Sequence, residues 1–192
     1  MLEVNRLGEQ VGAEIFGVDV RDLADEDFAV IYQTWLDCNV ICVRDQSLDA
    51  VEEFFAYSRR FGRLHEHPSK STRHSEYPEL TVLGTDKFNA DGSLNEAVYA
   101  RGGENWHTDG AYDEVSFKAT QLYALAIPST GGDTLFSSMY AAYGALPERL
   151  KDRIGERRGA FTYAGRSTRS AQLLNPEDRD WTPVMHPILR TH

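Results

Sequence analysis

The string Trp106-His107-Thr108-Asp109, followed by Pro128-Ser129-Thr130-Gly131-Gly132-Asp133-Thr134, constrains this chain more than any other feature. Side chains alternate across a strand with a period of two, so on a strand His107 and Asp109 face one way and Thr108 the other. One imidazole and one carboxylate on the same face can hold one cation. They supply two-thirds of a two-histidine, one-carboxylate facial site, a ligand set that leaves positions open on Fe(II) for a cosubstrate and O2. Taken alone, a His-x-Asp is better read as a surface strand carrying a hydrogen-bonded histidine. Trp106 reads as a packing residue that fixes the ligand strand, and Gly131-Gly132 as a hairpin turn.

At 192 residues the chain has the length of one domain with a substantial core. Hydrophobic content of 41% and charged content of 26% are ordinary for a globular protein. No apolar run approaches the ~20 residues of a membrane span, and the N-terminal residues Met1 to Asn5 lack a basic region and an apolar stretch, so the default expectation is a cytoplasmic protein with no membrane partner. A net charge of -10 argues against nucleic acid as a partner, because no long-range positive field exists to draw phosphates in. Arg153, Arg157, Arg158, Arg166 and Arg169 cluster nonetheless. A solvated helix face and loop accounts for them best, with an anionic substrate or a partner subunit of a homo-oligomer left open. Cys38 and Cys42 sit in an apolar run that suits small buried residues, too few for a zinc knuckle and in keeping with a reducing compartment.

Periodicity predicts a strand over 13–20 with a turn at Gly17, a helix over 25–36 with Phe28, Ile31, Tyr32 and Trp35 on its apolar face, and a strand over 40–43. A second helix is expected from an N-cap at Ser47 through Phe61, with Val51, Phe54, Phe55 and Ser58 inside and Gly62 as its stop. Strands are expected over 79–83, 119–127, 160–163 and 184–190, and helices over 138–145 and 147–155, the last opened by Pro147. The polar stretch 85–105 reads equally well as a functional lid or as a plain connecting loop.

Several ordered blocks reverse the preference against a metal site. They are Gly12-Ala13-Glu14-Ile15-Phe16-Gly17-Val18-Asp19, Val43-Arg44-Asp45-Gln46, Phe61-Gly62-Arg63-Leu64-His65-Glu66-His67-Pro68, the two strings above, and His186-Pro187-Ile188-Leu189-Arg190-Thr191-His192. Together they resemble the taurine dioxygenase family of Fe(II)/2-oxoglutarate oxygenases, which includes the phenoxyacetate dioxygenases, along nearly the whole chain.

The resemblance implies a mainly β fold with flanking helices, a double-stranded β-helix of the jelly-roll, cupin-like kind. It implies His107 and Asp109 as catalytic iron ligands, 2-oxoglutarate and O2 as cosubstrates, and hydroxylation of a small organic substrate with release of succinate and CO2. Sulfonate, sulfate-ester or aryloxyacid cleavage is the variant that follows when the hydroxylated carbon bears such a leaving group. The carboxylate of Asp109 disfavours halogenation, which needs that position for halide. Thr134 matches a threonine that binds the far carboxylate of 2-oxoglutarate together with a C-terminal arginine. His67 matches a contact to the anionic head of taurine; a turn before Pro68 is its second reading and a separate metal site its last. Phe161 lies near a pocket aromatic, with a core role about as good an account. Tyr112 replaces a pocket phenylalanine, Gly110 a valine and Gly103 an asparagine, departures easier to reconcile with a larger or differently polar substrate than with taurine.

The family's second iron histidine and its 2-oxoglutarate arginine lie beyond the His186 to His192 block. Neither His186 nor His192 is therefore promoted to third ligand, nor Arg190 to the cosubstrate arginine. The expectation is a single domain over 1–192, incomplete at its C-terminus and lacking its closing strands. The rival from another class is a non-catalytic, truncated jelly-roll module for ligand binding or assembly. A zinc hydrolase or isomerase of cupin type is less suited, because the six histidines do not cluster as its ligand sets do.

Overall fold

Ala13 and Ile15, alternate residues of a short strand, are almost wholly buried, and the first of two compact units is built around them. The computed structural model describes residues 1–66, 73–81, 83, 106–127, 129–131, 133–163 and 182–191. Met1–Arg63 with Gln121–Lys151 forms the first unit, and Leu64–Thr120 with Asp152–His192 the second.

In the first unit, β1 (Glu3–Arg6) runs antiparallel to β2 (Ala13–Phe16) with Val4 opposite Ile15, and β2 runs parallel to β3 (Ile41–Val43) with Ile15 opposite Val43. A parallel neighbour requires a crossover. It is made by a short 3-10 turn at Val20–Asp22 and the helix α1 (Asp25–Cys38). Asp25, Glu26 and Asp27 put negative charge on the helix's N-terminal turn, where the backbone dipole favours it. Asn39 ends the helix at φ 62°, a left-handed conformation that asparagine tolerates. Ile31 is fully buried, while Phe28, Tyr32 and Trp35 gather on Phe61 at ring distances of 5.0, 5.9 and 5.8 Å. Burying one such isoleucine contributes roughly 1.5–3 kcal/mol. Gln46 fastens the strand exit to the preceding loop, accepting from the Val20 N–H at 2.9 Å and donating to the Val18 carbonyl at 2.8 Å.

The second helix, α2 (Val51–Arg59), starts later than its composition suggested. Glu53 reaches back to accept from the N–H groups of Asp49 and Ala50 at 2.7 and 3.3 Å, so the N-cap is Ala50, held by the Glu53 side chain, and not Ser47. The Leu48 N–H donates instead to the Tyr123 hydroxyl at 2.9 Å, which holds the residues after Ser47 out of the helix. Of the four inner positions expected of α2, Phe55 and Ser58 are buried, while Val51 and Phe54 are only partly so. Cys38 is buried, but Cys42 is exposed because it occupies the outward position of β3.

Residues 119–127 keep the expected alternation only in part and form no strand. Gln121 and Tyr123 turn inward, Gln121 accepting from the Ser58 hydroxyl at 2.9 Å and Tyr123 lying 6.1 Å from Phe54. Leu122, Leu125 and Ile127 stay exposed, and among the described residues no neighbouring strand supplies a ladder for this segment. The 79–83 segment is likewise not a strand where it is described; its backbone closes a turn through Leu80 N–H to the Tyr77 carbonyl at 2.9 Å. Two helices follow, α3 (Met139–Gly144), capped by the Ser138 hydroxyl on the Ala141 N–H, and α4 (Glu148–Ile154), which begins one residue after Pro147.

The second unit contains an antiparallel pair, β4 (Arg158–Phe161) and β5 (Val184–Pro187), with Gly159 opposite His186. The sequence suggested strands dominating around the motifs. The five strands found among the described residues are each three or four residues long, and none contains His107 or Asp109. Among the described residues no helix is long and apolar enough to cross a membrane.

Candidate metal-binding site

Trp106 to Thr108 is irregular backbone and Asp109 opens a turn, so the expected strand is absent here. The two side chains nevertheless converge. His107 Nε2 lies 3.3 Å from Asp109 Oδ1, and each side chain is about half exposed, at 52% and 47%. For two metal bonds of about 2.1 Å at right angles, the donor atoms sit roughly 3 Å apart. The pair thus has the donor chemistry and the spacing of two adjacent ligands of one cation. No third histidine, cysteine, aspartate or glutamate joins them among the described residues.

Gly110 makes the turn possible. Its φ is +70°, and a Cβ there would lie 2.4 Å from Cγ of Phe117. Phe117 packs its ring on His65 at 4.8 Å and edge-on to Tyr112 at 6.1 Å, and Tyr112 meets Tyr163 at 5.1 Å. The chain after Gly110 returns so that the Thr120 hydroxyl donates to Asp109 Oδ2 at 2.7 Å. Burial pushes the Tyr112 phenol well above its ordinary range, with nearby Tyr163, Asp113 and Asp109 adding to the effect. Trp106, expected to pack, is 71% exposed.

Phe161 lies 5.8 Å from the His186 ring, and His186 Nε2 donates to the Asp113 carbonyl at 2.8 Å in a buried position. His186 is thus tied to the backbone of Asp113. Arg190 donates to the Ser116 hydroxyl. Asp113 also faces His65, whose Nε2 is 3.9 Å from its Oδ2. A separate open cleft of about 440 Å³ is lined by Glu114, Arg158, Thr182, Val184, Met185 and His186, and contains neither His107 nor Asp109. Within the arginine cluster, Arg157 and Arg158 donate to the carbonyls of Arg153 and Met185 at 2.8 and 2.6 Å. Arg166 and Arg169 lie outside the described residues.

The structure therefore groups His107, Asp109 and Tyr112 in the second unit, with Phe161 in the same unit against His186. Thr134 belongs to the first unit, exposed shortly after the turn at Gly131, whose φ is +74°. His67, Gly103, His192 and the 85–105 stretch lie outside the described residues. Sequence reasoning missed Thr120 and the Gly110–Phe117 contact. Only the glycine directly after Asp109 hinted at a turn; nothing in the spacing singled out Thr120.

A model of the family described as taurine catabolism dioxygenase TauD, TfdA matches residues 3–192. The (S)-phenoxypropionate/alpha-ketoglutarate-dioxygenase of Sphingobium herbicidovorans is 31% identical over 159 residues, 79% of this chain and 50% of that protein. The alpha-ketoglutarate-dependent sulfonate dioxygenase of Saccharomyces cerevisiae is 25% identical over 195 residues, 100% of this chain and 46% of that protein. A crystal structure of AAD-2 with Mn(II) and N-oxalylglycine superposes with a TM-score of 0.70 at 20% identity, over 100% of this chain and 67% of that one. A taurine dioxygenase from Burkholderia xenovorans gives a TM-score of 0.67 at 24% identity, over 100% and 59% of the two chains. These likenesses establish a shared fold, and the chain spans about half the length of several curated relatives it matches. The chain belongs to the taurine catabolism dioxygenase TauD, TfdA family.

Proposed function

We propose that this protein is an Fe(II)- and 2-oxoglutarate-dependent dioxygenase acting on a small organic substrate, built on a double-stranded β-helix. The observation that carries the proposal is the convergence of His107 Nε2 and Asp109 Oδ1 at 3.3 Å, both side chains about half exposed. Family membership and relatives named as alpha-ketoglutarate-dependent dioxygenases support it. Iron bound with 2-oxoglutarate supplies the chemistry: O2 is split between a substrate C–H bond, which becomes C–OH, and 2-oxoglutarate, which leaves as succinate and CO2.

The protein's part is to bind, orient and keep water out. His107 offers a neutral ring nitrogen and Asp109 a carboxylate oxygen to the metal. A facial set needs one more protein ligand, which no described residue adds to this pair. Thr134 donates its hydroxyl to the far carboxylate of 2-oxoglutarate. Tyr112 presents a hydroxyl donor to the substrate side, Phe161 an apolar wall, and His67 a contact to an anionic head group. The substrate classes that fit are sulfonates, sulfate esters and aryloxyacids. Hydroxylation at the carbon bearing the heteroatom gives a product that collapses to a carbonyl and releases the leaving group. The proposed setting is the cytoplasm, with no nucleic-acid or membrane partner.

The test is succinate formation by the full-length gene product with Fe(II), ascorbate, O2 and 2-oxoglutarate, across a panel of sulfonates, alkyl sulfates, aryloxyacids and amino acids. Substrate-stimulated succinate that disappears in His107→Ala is expected. No turnover, together with no binding of iron or 2-oxoglutarate, would replace this reading with a non-catalytic module for ligand binding or assembly.

A further inference from the structure

We infer that Thr120 is a positioning residue for the Asp109 carboxylate, holding Oδ2 so that Oδ1 alone is presented beside His107 Nε2. The inference rests on the metal reading above and deepens it. Thr120 Oγ1 donates to Asp109 Oδ2 at 2.7 Å, while Oδ1 of the same carboxylate lies 3.3 Å from the His107 nitrogen. A hydroxyl-to-carboxylate bond of this length is charge-assisted, and such bonds are about twice as strong as neutral ones.

A carboxylate needs such a bond for a geometric reason. Rotation about its last side-chain torsion is broad and nearly two-fold, so a free aspartate offers either oxygen, or both, to a cation. With Oδ2 engaged by Thr120, Asp109 binds through one oxygen. A cation bound by one oxygen and one nitrogen keeps more positions open for small molecules than one gripped by both oxygens. The hydroxyl thus fixes the ligand's direction and also its denticity.

Thr120 is eleven residues from Asp109 in sequence, and the turn at Gly110 brings it there. The positive φ of Gly110 and the Phe117 ring against it fold 110–119 into the return that ends at Thr120. Groups that hydrogen-bond a metal ligand typically affect metal affinity by 10- to 100-fold when removed.

The experiment compares wild type, Thr120→Ser, Thr120→Val and Thr120→Ala in the full-length, metal-free gene product. Mn(II) affinity is read from the paramagnetic resonance of the free ion and Co(II) ligation from its visible spectrum, neither of which requires turnover. Thr120→Ser should bind Mn(II) like wild type. Thr120→Val, of nearly the same shape but without the hydroxyl, should bind roughly 10- to 100-fold more weakly, with an altered Co(II) spectrum and unchanged far-UV circular dichroism. If the valine variant fails to fold, the contrast between Thr120→Ser and Thr120→Ala decides in the same way. Equal Mn(II) affinity and equal Co(II) spectra in wild type and the hydroxyl-less variants would overturn the positioning role alone. Failure of wild type to bind either ion would overturn the metal reading and this inference with it.

Discussion

Gly110→Ala is the substitution whose cost the structure defines best. At φ +70° an alanine occupies the left-handed region, at a cost of about 1–2 kcal/mol. Its Cβ would also lie 2.4, 2.6 and 2.8 Å from Cγ, Cδ1 and Cδ2 of Phe117, distances that real Cβ atoms do not adopt. Because these atoms are the root of the ring, the whole side chain must move, and overpacking of this kind costs about 1–3 kcal/mol. The sum is about 2–5 kcal/mol, which for a chain of this size lowers the melting temperature by roughly 4–20 °C. Phe117→Ala removes the obstacle, leaving only the backbone cost. In a double-mutant cycle followed by urea unfolding, Gly110→Ala should therefore cost about 1–3 kcal/mol less in the Phe117→Ala background than in wild type. Costs that simply add, to within about 0.5 kcal/mol, would refute the contact. A cost below about 1 kcal/mol in both backgrounds would refute the left-handed turn as well.

Other outcomes follow from the same physics. Ile31→Ala should destabilise the protein by about 2–5 kcal/mol, whereas Val30→Ala, at a position 44% exposed, should stay within about 0.5 kcal/mol; equal effects on urea unfolding would contradict the buried face of α1. Burial pushes the Tyr57 phenol up to about 12. Folded and unfolded chains both keep that proton at neutral pH, so stability falls only as pH rises from the ordinary value near 10 towards 12, and ultraviolet titration should lose a late step in Tyr57→Phe. Asp19 is held at about 2, first by its side-chain bond to Arg21 and then by the Arg21 backbone N–H. Its contribution is present above 3.8 and lost as pH falls through about 2. Carbon-detected titration should move Asp19 back towards its ordinary value in Arg21→Gln.

The crossover of the first unit was legible because its signals are local. Three acidic residues, a run with helical spacing and an asparagine delimit α1 to within two residues, and alternation marks β2. Ser47 misled because a serine before an apolar helix is a good cap only if its neighbours are free to turn. Here Leu48 is tied to Tyr123, a partner 75 residues away that no local pattern announces. The segment 119–127 misled for a related reason. Its apolar residues fit a strand, but a strand exists only with a neighbour, and among the described residues none pairs with it. Cys42 shows the limit of composition, since its apolar setting suggested burial while the strand's alternation sent it outward.

At the site, the residue types in the string were enough to nominate His107 and Asp109, although the strand geometry invoked for them is not how they meet. A turn closed by Gly110 brings the same two side chains together. Thr120 was invisible because a hydrogen bond across eleven residues depends on how the chain returns, which residue identity alone does not specify.

The most direct test of the account is an oxygen-free titration of the full-length gene product with Fe(II) and 2-oxoglutarate, in wild type and Asp109→Ala. A weak visible charge-transfer band that saturates in wild type and is absent from the variant is expected, since the band requires the cosubstrate to chelate an iron held by this pair. Tight iron binding in wild type with no such band, or an undiminished band in Asp109→Ala, would contradict the assignment of His107 and Asp109 as the seat of a 2-oxoglutarate-dependent oxygenase.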